Sequence, residues 1–303
     1  IVDGDGHVTA SARAATDAER GFEAIVLEVE ATIRSLGPAV EHARAVGVGV
    51  AGQVDRKTGV VRYAPNLRWH EAPLGPTIEQ RLGLPVVVSN DVRAAAWGEW
   101  HHGAARGVDD LVVVFVGTGV GGGVISGGRL LDGCTNAAGE LGHMTIAHGG
   151  RRCRCGNHGC LEAYAGGWAI AERAREAVAS DPDGGARIAA LARPPDGITA
   201  ATVTEAADEG DAFALKLISE TTDYLASGIV AIANAFNPCM FVLGGGVLDH
   251  RPEELERLRT QVAERALGVV SDSLRIVPAA LAGQAGVIGA ASMAAAALGR
   301  IAD

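Results

Sequence analysis

At 303 residues the chain is near the upper size for one hydrophobic core, so two lobes with a cleft between them are expected. Its 48 % hydrophobic, 20 % charged and only 4 % aromatic content fits a globular protein with an aliphatic core. A net charge of −10 argues against a broad nucleic-acid-binding surface. No apolar run reaches the roughly 18 residues of a membrane span and no leader pattern is seen, so a cytoplasmic location is expected.

The chain opens on Ile1-Val2-Asp3-Gly4-Asp5-Gly6-His7-Val8, which reads as a strand end, a turn and a strand start. Because it begins at Ile1 rather than Met, a segment upstream is expected to be missing. Helical periodicity comes next over 17–35, then strands at 46–50 and 86–89, the second running into a helix at 92–102. Strands at 111–116 and 122–125 come after these, then helices at 168–179 and 212–235. A strand at 240–243, a helix at 253–267, a strand at 274–277 and a helix at 285–298 complete the chain. Strand and helix alternate, so the class is α/β. Residues 180–199, with Asp181-Pro182-Asp183-Gly184-Gly185 and Pro194-Pro195, read as a polar excursion between helices.

Three glycine-rich turns stand directly after strands. Gly117, Gly119 and Gly122 match the spacing of a dinucleotide fingerprint, which requires a helix immediately afterwards. The next segment, Val124-Ile125-Ser126-Gly127-Gly128-Arg129-Leu130, reads as strand, turn and strand, and so rejects that fold. A glycine hairpin instead offers backbone N–H groups and the Thr118 hydroxyl to phosphate oxygens, or is simply a tight turn. Gly244-Gly245-Gly246, after the strand at 240–243, lets a flat ligand approach the backbone. The run from Gly47 to Asp55 is glycine-dotted and reads equally well as a strand packed against another backbone. No Walker motif occurs.

Asn90-Asp91 stands where the strand at 86–89 gives way to a helix, the position that faces a ligand crevice in α/β folds. Asp91 is therefore a candidate general base for a hydroxyl nucleophile, with a helix N-cap as the plainer role.

Five cysteines are an odd number for a disulfide framework, and three fall within eight residues, Cys153-Arg154-Cys155-Gly156-Asn157-His158-Gly159-Cys160. Zinc takes a tetrahedron of Cys and His, so this loop supplies three corners and leaves His143, His148 or His158 for the fourth. Cys134 and Cys239 are expected to be separate buried thiols. Glu140-Leu141-Gly142-His143 and Leu161-Glu162 bracket the loop with carboxylates.

Taken together, these segments resemble the ROK family of bacterial sugar kinases and sugar-responsive repressors, over nearly the whole chain. The most specific match is Glu140-Leu141-Gly142-His143, with Cys-x-Cys-Gly-x-x-Gly-Cys-Leu-Glu, residues 153–162, ten residues later. The resemblance implies a two-lobed actin/hexokinase-like (ribonuclease H-like) fold closing over ATP, Mg²⁺ and sugar. The small lobe is expected at 1–91 plus 287–303, and the large lobe, with its zinc-binding sugar loop, at 92–286. It selects His143 as the fourth ligand of a structural Zn²⁺. It also implies sugar contacts from Asn66, Asn90, Asp91, Glu140, His143 and Glu162, with Asp91 as base. Gly117, Thr118 and Gly119 would meet phosphate, and Gly244, Gly245 and Gly246 the adenosine. Family members carry an Asp-x-Gly-Gly-Thr hairpin on a first strand just ahead of where this chain starts. Without it, weak or no kinase activity is expected. The activity implied is ATP-dependent phosphorylation of a hexose, foremost glucose to glucose 6-phosphate, in a homodimer. The alternatives are the effector domain of a ROK repressor, with a DNA-binding helix-turn-helix before residue 1, and an N-acetylhexosamine or mannose kinase.

Overall fold

A computed structural model describes residues 1–195, 197–249 and 251–299. In chain order its elements are α1 Gly21–Arg34, β1 Val46–Val50, β2 Gln53–Val54, β3 Val61–Ala64, β4 Trp69–Ala72, α2 Leu74–Leu82, β5 Val86–Asn90 and α3 Asp91–His101. Then come β6 Leu111–Val116, β7 Val120–Ile125, α4 Glu162–Ala165, α5 Gly167–Ser180, α6 Ala186–Leu191, α7 Ala200–Asp208 and α8 Ala212–Phe236. The chain closes with β8 Met240–Gly244, α9 Pro252–Arg265, α10 Gly268–Ser271, β9 Arg275–Pro278 and α11 Ala285–Ala297. Among the described residues no helix is long and apolar enough to cross a membrane.

The chain divides into two compact units, one of residues 1–111, 123–139 and 279–303, the other of 112–122 and 140–278. In the first unit, β1 pairs in parallel with β5, from Val46 opposite Val86 to Val50 opposite Asn90. The β-branched Val-x-Val alternation of β1 suits a strand, and its glycines answer a steric demand. A Cβ on Gly47 would stand 1.8 Å from the Ala290 carbonyl oxygen of α11. The same demand recurs between α11 and α3: a Cβ on Gly289 would stand 1.6 Å from Ala94 O, and one on Gly98 2.6 Å from Ala285 O. The packed-backbone reading of Gly47 therefore holds. The alanine and glycine composition of α11 lets its backbone approach those of β1 and α3 closely.

A small antiparallel sheet, β2-β3-β4, adjoins this layer, with Val54, Val61, Ala64, Trp69 and Ala72 turned into a core shared with Ile25, Val26, Leu74, Ile78 and Val88. The opening segment forms the expected turn, closed by an antiparallel bridge between Val2 and Val8. After β7, the Ile125–Leu130 bridge confirms a hairpin where a dinucleotide fold would need a helix.

In the second unit the strand order is β7-β6-β8-β9, with β8 and β9 parallel. The long helix α8 starts at Asp211, whose carboxylate accepts the Ala214 N–H at 2.8 Å, and ends at Asn237 in the left-handed conformation, φ 47°. Its buried stripe, Leu217, Ile218, Thr221, Leu225, Ile229 and Ile232, recurs at helical spacing. Gly228 interrupts that stripe, and Leu161 fills the gap, its Cδ2 2.6 Å from where a Cβ would be. Full burial of Leu161 is worth about 1.5–3 kcal/mol and moors the cysteine loop to α8.

Candidate active site

In the first unit β5 delivers Asn90 and Asp91 to the start of α3. The Asn90 side-chain oxygen accepts the N–H groups of Val92 at 3.0 Å and Arg93 at 3.1 Å, so Asn90 is the cap. Asp91 is the first helical residue, and this corrects the plainer sequence role given to it. The Asn90 amide also donates to Gly52 O at 3.3 Å, which orients it across the end of β1. Burial pushes the Asp91 carboxyl above its ordinary value, against the downward pull of the Val92 N–H. Arg93, buried two residues on, donates to Leu131 O at 2.6 Å, Ala138 O at 2.8 Å and Asp132 at 2.6 Å, pinning the loop that carries Cys134. Asn66 lies exposed on the single helical turn Pro65–Leu67.

In the second unit the two glycine runs come together because β6 and β8 are sheet neighbours. Gly245, with φ +107°, must be glycine, since a Cβ would stand 2.2 Å from Val116 O at the end of β6. A Cβ on Gly117 or Gly246 would meet nothing within 4 Å, so neither is glycine for packing reasons. The hairpin is tight, with Gly117 N–H donating to Gly119 O at 3.0 Å.

Glu162 binds this hairpin directly. Its Oε2 accepts the Val120 N–H at 3.0 Å and its Oε1 accepts the indole N–H of Trp168 at 3.1 Å. Trp168 was missed by sequence reasoning. A lone aromatic at the start of a helix carries no motif, and only the scarcity of aromatics in the chain marks it.

The cysteine loop folds as a knuckle, Cys153 N–H to Asn157 O at 2.8 Å and Gly156 N–H to Cys153 O at 3.0 Å. Gly159 passes so close to Ala147 O that a Cβ would stand 1.7 Å away. The turn Leu141–His143 swings His143 toward the thiols, so the ligand atoms of His143, Cys153, Cys155 and Cys160 all lie within 4.8 Å of one another. Cys155 Sγ to Cys160 Sγ and Cys153 Sγ to His143 Nδ1 are both 3.7 Å. A tetrahedral ion with sulfur at about 2.3 Å holds two sulfurs about 3.8 Å apart, so donor set and spacing are compatible with zinc. Burial pushes the Cys153 thiol up to about 12, as suits a sulfur in an apolar nest. His148 and His158 are exposed and outside the cluster. On the other ring edge, His143 Nε2 is 3.9 Å from Glu140 Oε2. Cys134 and Cys239 are exposed rather than buried. Both lie in connecting segments, Cys134 in the turn after Gly133 and Cys239 between α8 and β8, where no strand or helix face draws them inward.

The chain is similar to known proteins. The chain is 36 % identical over 276 residues to a glucokinase of Streptomyces coelicolor, covering 88 % of this chain and 86 % of that one. It is 32 % identical to a putative xylose repressor of Caldicellulosiruptor, covering 91 % of this chain and 68 % of that one. The crystal structure of a ROK family glucokinase from Streptomyces griseus, in complex with glucose and AMPPNP, superposes with a TM-score of 0.84 at 38 % identity, covering 97 % of this chain and 94 % of that one. Residues 1–297 match the ROK family, and with the glycine hairpin, the carboxylate bound to it and the Cys₃His cluster all in place, the chain belongs to that family.

Proposed function

We propose that this chain is an ATP-dependent hexose kinase that converts glucose to glucose 6-phosphate. Asp91 carries the proposal: a carboxyl at the end of β5, raised by burial and relieved of helix capping by Asn90. A carboxyl raised in this way holds a transferred proton better than a surface one. It would accept the proton of the 6-hydroxyl as that oxygen attacks the γ-phosphorus in line.

Asn66, Asn90, Asp91, Glu140, His143 and Glu162 are assigned to sugar recognition. Gly117, Thr118 and Gly119 are assigned to phosphate oxygens, and Gly244, Gly245 and Gly246 to the adenosine side. The open space above Gly117 and Gly246 supports the nucleotide assignment. Mg²⁺ bound with ATP would screen the phosphate charge. His143, Cys153, Cys155 and Cys160 would hold a structural zinc that fixes the loop and, through the His143 ring, sets Nε2 beside Glu140. A homodimer in the cytoplasm accompanies the assignment, two-fold pairs being the commonest soluble assembly.

In the full-length protein, with the upstream hairpin present, Asp91→Ala is expected to lower glucose-dependent ADP release by about 10²–10⁴-fold while calorimetry still records glucose binding. Unchanged turnover would overturn the proposal. The repressor likeness supports a second reading, a sugar-sensing effector domain. A sensor has no use for a base at Asp91, which favours the kinase. Glucose binding with no ADP release on any hexose, in the protein extended upstream to include the family's Asp-x-Gly-Gly-Thr hairpin, would favour the sensor.

A further inference from the structure

Trp168 stands at a junction within the second unit. Its backbone N–H donates to Thr118 O at 3.0 Å, next to the bond from Gly167 N–H to Gly117 O at 2.9 Å, so the start of α5 holds two successive carbonyls of the glycine turn. Its indole N–H donates to Glu162 Oε1 at 3.1 Å, and the other oxygen of that carboxylate takes the Val120 N–H. The ring packs on the cluster of Cys153, Cys160, Ala163 and Tyr164, and the guanidinium of Arg154, the residue between Cys153 and Cys155 in sequence, lies 4.6 Å from the ring centroid. One residue therefore meets the turn assigned to phosphate through its backbone, and the cysteine loop and the carboxylate assigned to sugar through its side chain.

We propose that Trp168 is a positioning residue that couples sugar binding to nucleotide binding through Glu162. The coupling rests on the kinase reading of Glu162 and the glycine hairpin. With both oxygens held, the carboxylate cannot swing independently of the hairpin. A phosphate that fixes the hairpin amides fixes the angle at which Glu162 meets a sugar hydroxyl. Without the indole N–H the carboxylate pivots on its single bond to Val120, and the two ligands no longer sense each other. Coupling of this kind is reciprocal and ordinarily amounts to about 5–150-fold in affinity.

The test is calorimetric titration of glucose with and without saturating AMPPNP, in the unsubstituted protein and in Trp168→Phe. Phe keeps an aromatic ring, though a smaller one, on the cysteine cluster and keeps the backbone N–H to Thr118, and loses the bond to Glu162. The unsubstituted protein is expected to bind glucose on the order of tenfold more tightly with AMPPNP. Trp168→Phe is expected to bind glucose alone, with that ratio reduced to about one. Replacing Trp168 by 3-benzothienylalanine, which keeps the indole shape and lacks its N–H, should give the same result if the smaller Phe ring disturbs the fold. A ratio retained in both replacements, or a ratio of one in the unsubstituted protein, overturns the coupling and leaves the kinase reading standing. If the unsubstituted protein binds neither ligand, the kinase reading itself falls, and the coupling with it.

Discussion

A Cβ on Gly119 would stand 2.3 Å from Oε2 of Glu162, so the glycine hairpin and the carboxylate are fitted to each other with no room for a side chain. Gly119→Ala should push Glu162 off the Val120 N–H. A hydrogen bond to a charged group contributes about 1.5–3 kcal/mol, so kcat/KM for glucose is expected to fall on the order of tenfold or more. Gly117→Ala is the contrast, because its Cβ would meet no protein atom within 4 Å. Its melting temperature should match that of the unsubstituted protein while KM for ATP rises. Equal effects of the two substitutions on glucose and ATP would show that the hairpin does not divide its work in this way.

Burial raises the Asp91 carboxyl above its ordinary value of 3.8, and this makes its contribution to stability depend on pH. A raised carboxyl favours the folded state fully below about 3.8, and that contribution is lost as pH rises through the raised value. At neutral pH the ionised group is therefore a burden on folding. Asp91→Asn keeps the shape without the charge, so it should melt at a higher temperature than the unsubstituted protein at pH 7. The gain should vanish below pH 3.8. The same variant should be inactive, since an amide accepts no proton. Thermal melts across pH, set beside ADP release, check both halves, and a variant less stable at pH 7 would count against the buried-base description.

The elements with strong periodicity were legible in the sequence. The buried stripe of α8 and the valine-rich β1 and β5 left little else for those segments to be. The sheet β2-β3-β4 was not legible, because β3 and β4 bury only their first and last residues and expose the two between. In β4 the backbone at Glu71 also has φ 47°, so neither a period of two nor a period of 3.6 appears. Helix α2 hides behind Gly75 and Pro76, both ordinarily breakers. At the site, the Cys₃ spacing pointed to a candidate metal loop, and three histidines were close enough in sequence to complete it. The family resemblance singled out His143, and the turn Leu141–His143 supplies the physical reason, through where the backbone goes. Trp168 was invisible because its partners, Thr118 and Glu162, lie 50 and 6 residues away with no periodic relation to it.

The Cys₃His cluster is expected to bind one zinc per chain, measured by metal analysis of protein purified without added metal. Cys155→Ser should release the ion and lower the melting temperature by roughly 5 °C or more, since 1 kcal/mol shifts a domain of this size by about 2–4 °C. Cys134→Ser and Cys239→Ser, at exposed positions, should change neither zinc content nor melting. Full zinc retention by Cys155→Ser would show that the loop does not close a metal site.

Glu99 offers a test of the first unit that is independent of any ligand. Its side chain is fully buried on α3, yet its two oxygens are engaged: Oε2 accepts the N–H of Ala104 at 2.9 Å and of Ala280 at 3.1 Å, and Oε1 accepts the N–H of Leu281 at 2.8 Å. A carboxylate suits this place because it only accepts. Glu99→Gln introduces an NH₂ that must face at least one backbone N–H, whichever way the amide turns, and leaves that donor without a partner. An unsatisfied buried group costs about 1–3 kcal/mol, so the urea midpoint should fall with an unchanged m-value. Glu99→Ala strands all three donors and should cost more than Glu99→Gln. Gly103→Ala should destabilise by another route, since its Cβ would stand 2.2 Å from Oε2 and drive the carboxylate off Ala104 and Ala280. Because Gly103→Ala and Glu99→Ala break the same bonds, the double variant should lose much less than the sum of the two. Additive losses would mean that Gly103 matters for its backbone alone and that Glu99 is not what anchors the chain at Ala280 and Leu281.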